Sequence, residues 1–162
     1  MSLHIALVEP EIPQNTGNIA RTCAATGTGL HLVKPLGFSI EDRYLKRAGL
    51  DYWNEVLVSC SDSFMELREK YRSHTFYYAS TKAGRVYTEV VYPEDCFLIF
   101  GKETAGLPEE LLEANRENCI RIPMRPGIRS LNLSNSAAIV LYEVLRQQGF
   151  KNMNLKGKMG ME

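Results

Sequence analysis

The sequence predicts a single α/β domain with a mainly parallel six-stranded sheet and helices on both faces. Short apolar runs typical of buried strands recur along the chain, and segments with helical spacing separate them. This alternation favours parallel strands, because a parallel pair needs a crossover connection that is usually a helix. One run, Cys96–Phe100, is apolar at every position, as expected for a central strand covered on both faces.

The composition fits one globular domain. The chain has 162 residues, of which 44% are hydrophobic and 23% charged, and it shows no internal repeat or linker. We therefore expect one domain over residues 1–150, followed by a polar tail over residues 151–162 that frays. The formal net charge is zero, so the overall field does not indicate a nucleic-acid binder, although a local basic patch remains possible.

Three features bear on location and metals. The N-terminus has no basic region of a signal peptide, and no apolar run is long enough to span a bilayer, so we expect no membrane segment. The four cysteines form no C-x-x-C pair and lie in or beside apolar segments, which indicates reduced, mostly buried thiols in a cytoplasmic protein. The three histidines are far apart in sequence, so we expect no metal site.

Six strands are predicted from the apolar runs. Pro10 and Pro13 end the first strand and shape a turn, and Pro35 with Gly37 ends the second. In order, the predicted strands are His4–Val8, Leu30–Val33, Val56–Val58, Thr75–Ser80, Cys96–Phe100 and Cys119–Ile122.

The first helix is predicted to begin with Asn15 as its N-cap and to run to Thr26, where Gly27 closes it. Its apolar stripe consists of Ile19, Ala20, Cys23 and Ala24.

The other helices are predicted at residues 41–48, 63–71 and 108–115 and in a final segment closed by Gly149. The helix at 41–48 is basic. Ser63 and Glu66 have the spacing of a capping box, and Pro108 is suited to a first helical turn. The apolar stripe of the last helix consists of Ala137, Val140, Leu141, Val144 and Leu145.

Three polar constellations lie at strand ends or in the loops that follow them. They are Asn15 with Asn18 and Arg21, the segment G-K-E-T-A-G-L-P at 101–108, and I-R-I-P-M-R-P-G-I-R-S-L-N-L-S-N at 120–135. Ligands of open α/β sheets bind at the carboxyl ends of the strands, so we expect these constellations to form one site. Plainer readings stay open: Asn15 with two surface residues is an ordinary helix start, and the last segment is a loop that caps a helix.

Common nucleotide and hydrolase motifs are absent. The sequence contains no G-x-G-x-x-G after the first strand, no G-x-x-x-x-G-K-[ST] and no G-x-S-x-G, so it supports neither a Rossmann dinucleotide site, nor a P-loop, nor a hydrolase elbow.

Three motifs together carry a family resemblance. N-T-G-N-I-A-R, F-G-K-E-T-A-G-L-P and I-P-M-R-P-G-I-R-S-L-N-L-S-N-S-A-A resemble, in order, those of the SPOUT class of RNA 2′-O-ribose methyltransferases. The phrases L-V-E-P-E-I-P-Q-N-T-G-N and R-A-G-L-D-Y resemble its small single-domain TrmL (YibK-like) branch, which methylates wobble cytidine or uridine of tRNA. The resemblance implies a C-terminal trefoil knot, a homodimer, a tRNA substrate and no metal. It also implies S-adenosyl-L-methionine as donor, with S-adenosyl-L-homocysteine as product.

The same resemblance assigns site residues. The donor site would include Ala79, Gly101, Ile122, Met124, Ser130 and Leu131. The catalytic set would be Arg21, Asn15, Glu103, Ser130 and Asn132. A guanidinium is a poor base, so we expect Arg21 to orient and stabilise the ribose and phosphate. Ser134 and Asn135 are expected chiefly to cap the last helix.

The RNA surface is predicted from basic residues alone. The candidates are Arg43, Lys46, Arg47, Arg125 and Arg129, with Lys82 and Arg85 as further cations. Each set is also compatible with a solvated face. Tyr44, Tyr52 and Trp53 are candidates for stacking on splayed bases or for core packing.

Two other functions stay open at this stage. One keeps the chemistry and moves the substrate to ribosomal RNA or another tRNA position. The other is a non-catalytic RNA-binding protein, which the intact Arg21, Glu103, Ser130 and Asn132 argue against.

Overall fold

The computed structural model describes residues 2–41, 43, 45, 47 and 52–159. Its strands are β1 Ser2–Val8, β2 Gly29–Val33, β3 Val58–Ser61, β4 Thr75–Ala79, β5 Asp95–Phe100 and β6 Cys119–Ile120. They form one sheet in the order β3-β2-β1-β5-β4-β6, and every pair is parallel. The predicted α/β class with a parallel six-stranded sheet is confirmed.

The α-helices with defined bounds are α1 Pro13–Thr26, α2 Phe64–Lys70, α3 Glu109–Glu113 and α4 Leu133–Gln147. Short 3₁₀ turns lie at Trp53–Glu55, Tyr87–Glu89 and Arg116–Asn118. Where a basic helix over 41–48 was predicted, residues 43, 45 and 47 have helical backbone and residue 41 lies in a turn, while the rest of that segment is outside the described residues.

The sheet has a hydrophobic core on each face because side chains alternate along its strands. In β1, Ile5 and Leu7 pack with the stripes of α1 and α4, whereas Ala6 and Val8 pack on the opposite face with Leu67 of α2. The predicted stripe of α4 is buried at all five positions. Helices therefore cover both faces, as predicted.

Both edge strands differ from their predicted bounds. β3 starts at Val58, two residues later than expected, and β6 ends at Ile120, with a further bridge from Arg121 to Val86. An edge strand pairs on one side only, so its extent depends on how far its neighbour continues. Ile122 consequently leaves the sheet and enters the following loop.

The prediction that Asn15 caps α1 is wrong. The helix begins at Pro13, three residues earlier than predicted. Its N-cap is Ile12, whose apolar side chain makes no capping hydrogen bond. Proline fits the first helical position because its ring presets φ and it has no N–H to satisfy. The other end is as predicted, since Gly27 adopts φ 69° and stops the helix.

The cap of α4 also differs from expectation. Asn132 is its N-cap and accepts hydrogen bonds from the backbone N–H groups of Ser134 and Asn135, which were themselves expected to cap. At the other end Gly149 has φ 73°, as predicted. The tail is docked at its start, because Met153 packs on the core and Lys151 pairs with Glu94.

Hydrogen bonds join the three histidines at the amino end of the sheet. His74 Nε2 lies 3.1 Å from Ser2 Oγ, which in turn contacts His4 Nε2. His4 Nδ1 lies 3.0 Å from His31 Nε2, and His31 Nδ1 lies 2.6 Å from Ser59 Oγ. Residues far apart in sequence thus form one polar chain, with His4 and His31 buried at its centre.

Within this chain, burial favours the neutral imidazole at His4 and His31. Burial lowers the pKa of His4 to about 4 and that of His31 to about 3. Gly29 leaves room for the His4 ring, because a Cβ there would lie 2.3 Å from His4 Nδ1. Within the described part of the chain, no group of three His, Cys, Asp or Glu side chains is arranged to hold a metal.

The cysteines are free thiols. Cys23, Cys96 and Cys119 are buried, and Cys60 on the edge strand is exposed. Burial raises the pKa of Cys23 and Cys96 to about 12, which makes both thiols unreactive.

Candidate active site

A cavity of about 580 Å³ opens at the carboxyl ends of β4, β5 and β6, beside the loop that leads into α4. All six residues predicted to hold the methyl donor line it: Ala79, Gly101, Ile122, Met124, Ser130 and Leu131. The cavity is also lined by Asn15, Glu103 and Asn132 from the predicted catalytic set. The three sequence motifs therefore meet in one place.

Two glycines give the loop after β5 its shape. A Cβ on Gly101 would lie 2.0 Å from the carbonyl carbon of Gly106, so only glycine allows the loop to fold back this closely. Gly106 adopts φ 69°, and its N–H donates to the carbonyl oxygen of Lys102 at 2.8 Å. Residues 101–107 of this turn all line the cavity, so a ligand bound there would lie against the turn.

Glu103 caps the amino end of α1, where the N-cap residue Ile12 provides no side-chain hydrogen bond. Its carboxylate accepts hydrogen bonds from the backbone N–H groups of Glu11 at 2.8 Å and Ile12 at 3.1 Å. It also accepts from Asn15 Nδ2 at 3.3 Å. A negative charge at the amino end of a helix is favourable because free N–H groups and the helix dipole both point toward it.

Glu11 makes a second contact between the same two loops. Its carboxylate accepts from the backbone N–H of Thr104 at 3.0 Å and from Thr104 Oγ1 at 2.7 Å. These bonds hold the pKa of Glu11 below its usual value. Two carboxylates thus fasten the loop after β1 to the loop after β5. Sequence reasoning missed Glu11 and Thr104. The available signal was that Glu11 lies in the phrase L-V-E-P-E-I-P-Q-N-T-G-N and Thr104 in the second motif.

Asn15 links the first two motifs to the third. While its Nδ2 donates to Glu103, its Oδ1 accepts from Asn132 Nδ2 at 3.0 Å. Asn132 Oδ1 then accepts from the backbone N–H of Ser134 at 2.9 Å, from Ser134 Oγ at 2.6 Å and from the N–H of Asn135. Both amides are fixed in orientation, because each presents one donor and one acceptor to defined partners.

Ser130 differs from these residues. It is exposed, lines the cavity, and its hydroxyl has no hydrogen-bond partner within the described part of the chain. It is therefore free to contact a bound molecule.

The structure does not bring Arg21 to the cavity. It lies on α1 about 9 Å along the helix from Asn15, is exposed, and its guanidinium stands 5.2 Å from the centre of the Tyr52 ring. This geometry is a cation–π contact. Four of the five predicted catalytic residues share the cavity, and Arg21 lies outside it.

The predicted RNA-binding residues are spread over several places. Arg129 lines the cavity, and Arg125 is exposed on the same loop. Arg43 and Arg47 are exposed, while Lys46 and Tyr44 are outside the described residues. The further cations are engaged with the protein, since Lys82 pairs with Glu109 at 3.4 Å and Arg85 donates to two backbone carbonyls. Trp53 packs against the core.

Known RNA methyltransferases share this fold over nearly the whole chain. One solved structure, described for the 2-OH methylation of C/U34 on tRNA, is 44% identical, covers 91% of this chain and 97% of its own, and has a TM-score of 0.87. The AdoMet-bound rRNA methyltransferase of Sinorhizobium meliloti is 25% identical, with a TM-score of 0.81 over 90% of this chain and 56% of its own. The fold and site define an S-adenosylmethionine-dependent methyltransferase.

The family follows from the sequence match. Residues 2–142 match the SpoU rRNA Methylase family, and the chain belongs to it. A relative from Listeria innocua is 60% identical over 154 residues, which is 93% of this chain and 90% of that protein. It bears the provisional name tRNA (cytidine(34)-2′-O)-methyltransferase. None of the helices in the described residues is both long and apolar enough to cross a membrane.

Proposed function

We propose that the protein methylates the ribose 2′-hydroxyl of the wobble nucleotide, a cytidine or modified uridine, in the tRNA anticodon loop. The observation that carries the proposal is the convergence of all three methyltransferase motifs on one cavity, in a chain 60% identical to the Listeria innocua relative. A tRNA substrate would place the protein in the cytoplasm.

The cavity fits S-adenosylmethionine. The side chains of Ile122, Leu131 and Met124 offer apolar walls for a nucleoside, and Gly101 lines the same cavity. When bound, the donor supplies an electrophilic methyl group on its sulfonium.

The hydrogen bonds divide the predicted catalytic set by role. Glu103 and Asn132 already accept three hydrogen bonds each from the chain, so we assign them, with Asn15, to positioning the loops around the cavity. Ser130 keeps an uncommitted hydroxyl at the cavity and is the candidate for direct contact with the ribose. Alignment of this kind supplies much of the rate in a direct methyl displacement.

Arg21 is assigned to the nucleotide and not to the donor. Its charged guanidinium is exposed outside the cavity, where it can meet a phosphate or ribose of bound RNA. A fixed positive charge there would stabilise the alkoxide that develops on the 2′-oxygen.

We also propose a homodimer. Ile139 and Tyr142 are exposed on one face of α4, three residues apart, and a second copy would cover them. A dimer would also double the modest basic surface available to tRNA. Light scattering on the purified protein tests this, and a monomeric mass would overturn it. The trefoil knot likewise stays a prediction from the family resemblance.

The test of function is methyl transfer from labelled S-adenosylmethionine to tRNA that lacks wobble ribose methylation, followed by mapping of the label. We expect 2′-O-methylation at the wobble position. The similarity to an rRNA methyltransferase makes ribosomal RNA the second candidate. Label only on ribosomal RNA, or at another tRNA position, would keep the chemistry and overturn the substrate.

A further inference from the structure

A second groove lies across α3 from the donor cavity and has a volume of about 750 Å³. Neighbouring leucines of α3 divide the two spaces, since Leu112 lines the donor cavity and Leu111 lines the groove. The other wall comes from α2 and from the strand β4. The residues used below are Arg68, Arg72, Tyr78, Asn115 and Asn118, which all line this groove.

An unpaired hydroxyl sits in the wall of the groove. Tyr78 is completely buried, and its Oη has no hydrogen-bond partner among the residues that the structure describes. Buried polar groups in proteins are nearly always paired, and an exception calls for an explanation such as a water or an ion that binds there. The family's methyl-transfer site does not use this residue, because Tyr78 lies outside the donor cavity.

The charge around this hydroxyl favours an anion. Arg68 has no ion-pair partner among the described residues. Burial raises the pKa of Tyr78, and the nearby charge of Arg68 partly opposes that rise. Arg72 is exposed and pairs with Glu69 at 3.4 Å, the one carboxylate among the lining residues. The residues that line the groove therefore carry two guanidinium groups and one carboxylate.

The floor of the groove adds neutral polar groups. Asn115 uses its Nδ2 to donate to the Leu111 carbonyl at 2.8 Å, and Asn118 is only partly buried. An anion with several acceptor oxygens would satisfy the Tyr78 hydroxyl and the Arg68 guanidinium together. A phosphodiester offers such oxygens, and guanidinium groups match its geometry well.

We propose that this groove binds a backbone phosphate of the tRNA, at a nucleotide other than the one that is methylated. The inference rests on the proposed function, because it takes tRNA as the substrate. It adds an RNA contact on the side of α3 that faces away from the donor cavity. The basic residues predicted from sequence did not include Arg68 or Arg72.

The test compares tRNA binding by the full-length wild type and by Arg68→Gln, Tyr78→Phe and Lys70→Gln over a range of salt concentrations. Lys70→Gln is the matched control, since it removes one charge from the same helix and does not line the groove. We expect Arg68→Gln to weaken tRNA binding about tenfold and to reduce the slope of log K against log salt by about one. Donor affinity should be unchanged, and the control should bind tRNA as the wild type does.

Tyr78→Phe separates a ligand contact from a role in folding. The free variant should melt no lower than the wild type, because the substitution removes a hydroxyl that has no partner among the residues that the structure describes. It should nevertheless bind tRNA more weakly. If either groove variant binds tRNA like the wild type, or if Lys70→Gln weakens binding equally, the proposal is wrong.

The mapping experiment keeps the two proposals apart. A wild type that binds tRNA through the groove and methylates another position would leave this inference standing and overturn the wobble assignment. A wild type that binds no tRNA would overturn both.

Discussion

Asn132 Nδ2 donates a hydrogen bond to Asn15 Oδ1 at 3.0 Å, although the two residues are 117 positions apart. The bond ties the cap of α4 to the first turn of α1. Through Asn15 it continues to Glu103, so that the three motif segments are held in one arrangement around the cavity. Much of the candidate site is therefore a scaffold of fixed amides and carboxylates around a few free groups.

Asn132 allows capping and bridging to be separated. Asn132→Asp keeps an oxygen that accepts from Ser134 and Asn135 but loses the donor to Asn15, whereas Asn132→Ala loses both. We expect the alanine variant to lose about 1 kcal/mol of stability and the aspartate variant to lose little. Thermal melting measures these changes in stability. Both variants should lose methyl transfer, which single-turnover rates measure. An active Asn132→Asp protein would contradict the positioning role.

Glu103→Gln tests the hydrogen bonds by which Glu103 joins the loop after β5 to the loop after β1. Glutamine keeps one acceptor oxygen but points an NH₂ group at N–H donors, so at least one of these contacts becomes repulsive. We expect kcat to fall about 100-fold with a smaller change in donor affinity, because alignment is lost before binding is. Glu110→Gln on the exposed side of α3 is the control. Equal rates of methyl transfer for Glu103→Gln and Glu110→Gln would show that the hydrogen bonds of Glu103 do not matter for the reaction.

Gly101→Ala should abolish donor binding. The added Cβ would lie 2.0 Å from backbone atoms of Gly106, so the loop must open, at a cost of about 1–3 kcal/mol in stability. Gly84→Ala is the matched control, because a Cβ there meets nothing within 4 Å. Calorimetric titration with S-adenosylmethionine measures the effect. Wild-type affinity in Gly101→Ala would place the donor elsewhere.

Arg21→Ala should lower the rate of methyl transfer by about 100-fold and leave donor affinity unchanged, because Arg21 lies outside the donor cavity. Arg21→Lys should recover part of the rate, since it keeps the charge and loses the planar geometry. Kinetics on tRNA and titration with donor alone separate the two effects. Parallel loss of both would assign Arg21 to the fold or the donor pocket.

The buried histidines predict a loss of stability in acid. The folded-state pKa values of His4 and His31, about 4 and about 3, lie below the ordinary value of 6.5. The unfolded chain therefore binds more protons as the pH falls from 6.5 toward 4, and the stability present above 6.5 is lost over that range. Nearby Lys70 and His74 act in the same direction, and Asp95 opposes them.

Urea unfolding at pH 7 and pH 5 measures this effect. We expect each of the two histidines to contribute a loss of about 1–2 kcal/mol at pH 5. Since the histidines lie at the amino end of the sheet, the donor cavity should keep its affinity in the protein that remains folded. Equal stability at the two pH values would contradict the lowered pKa values of His4 and His31.

Local sequence signals were sufficient for the fold class and for most elements. Continuous apolar runs located β1 and β5, the helical stripe of α4 was predicted at all five positions, and Gly27 and Gly149 marked helix ends. The motifs, read by family resemblance, also named the residues that line the cavity. These signals succeed because periodicity and turn chemistry act over a few neighbouring residues.

What the sequence by itself determined about this protein is its order of strands and helices and the three segments that meet at one edge of the sheet. Only the tertiary structure decided that Glu103 caps α1 from 91 positions away and that three distant histidines join in one chain. It also decided that the Tyr78 hydroxyl has no hydrogen-bond partner among the described residues. The physical reason is that a buried polar group is paired by whichever partner the crossovers bring near it. The spacing of residues along the chain does not predict that partner.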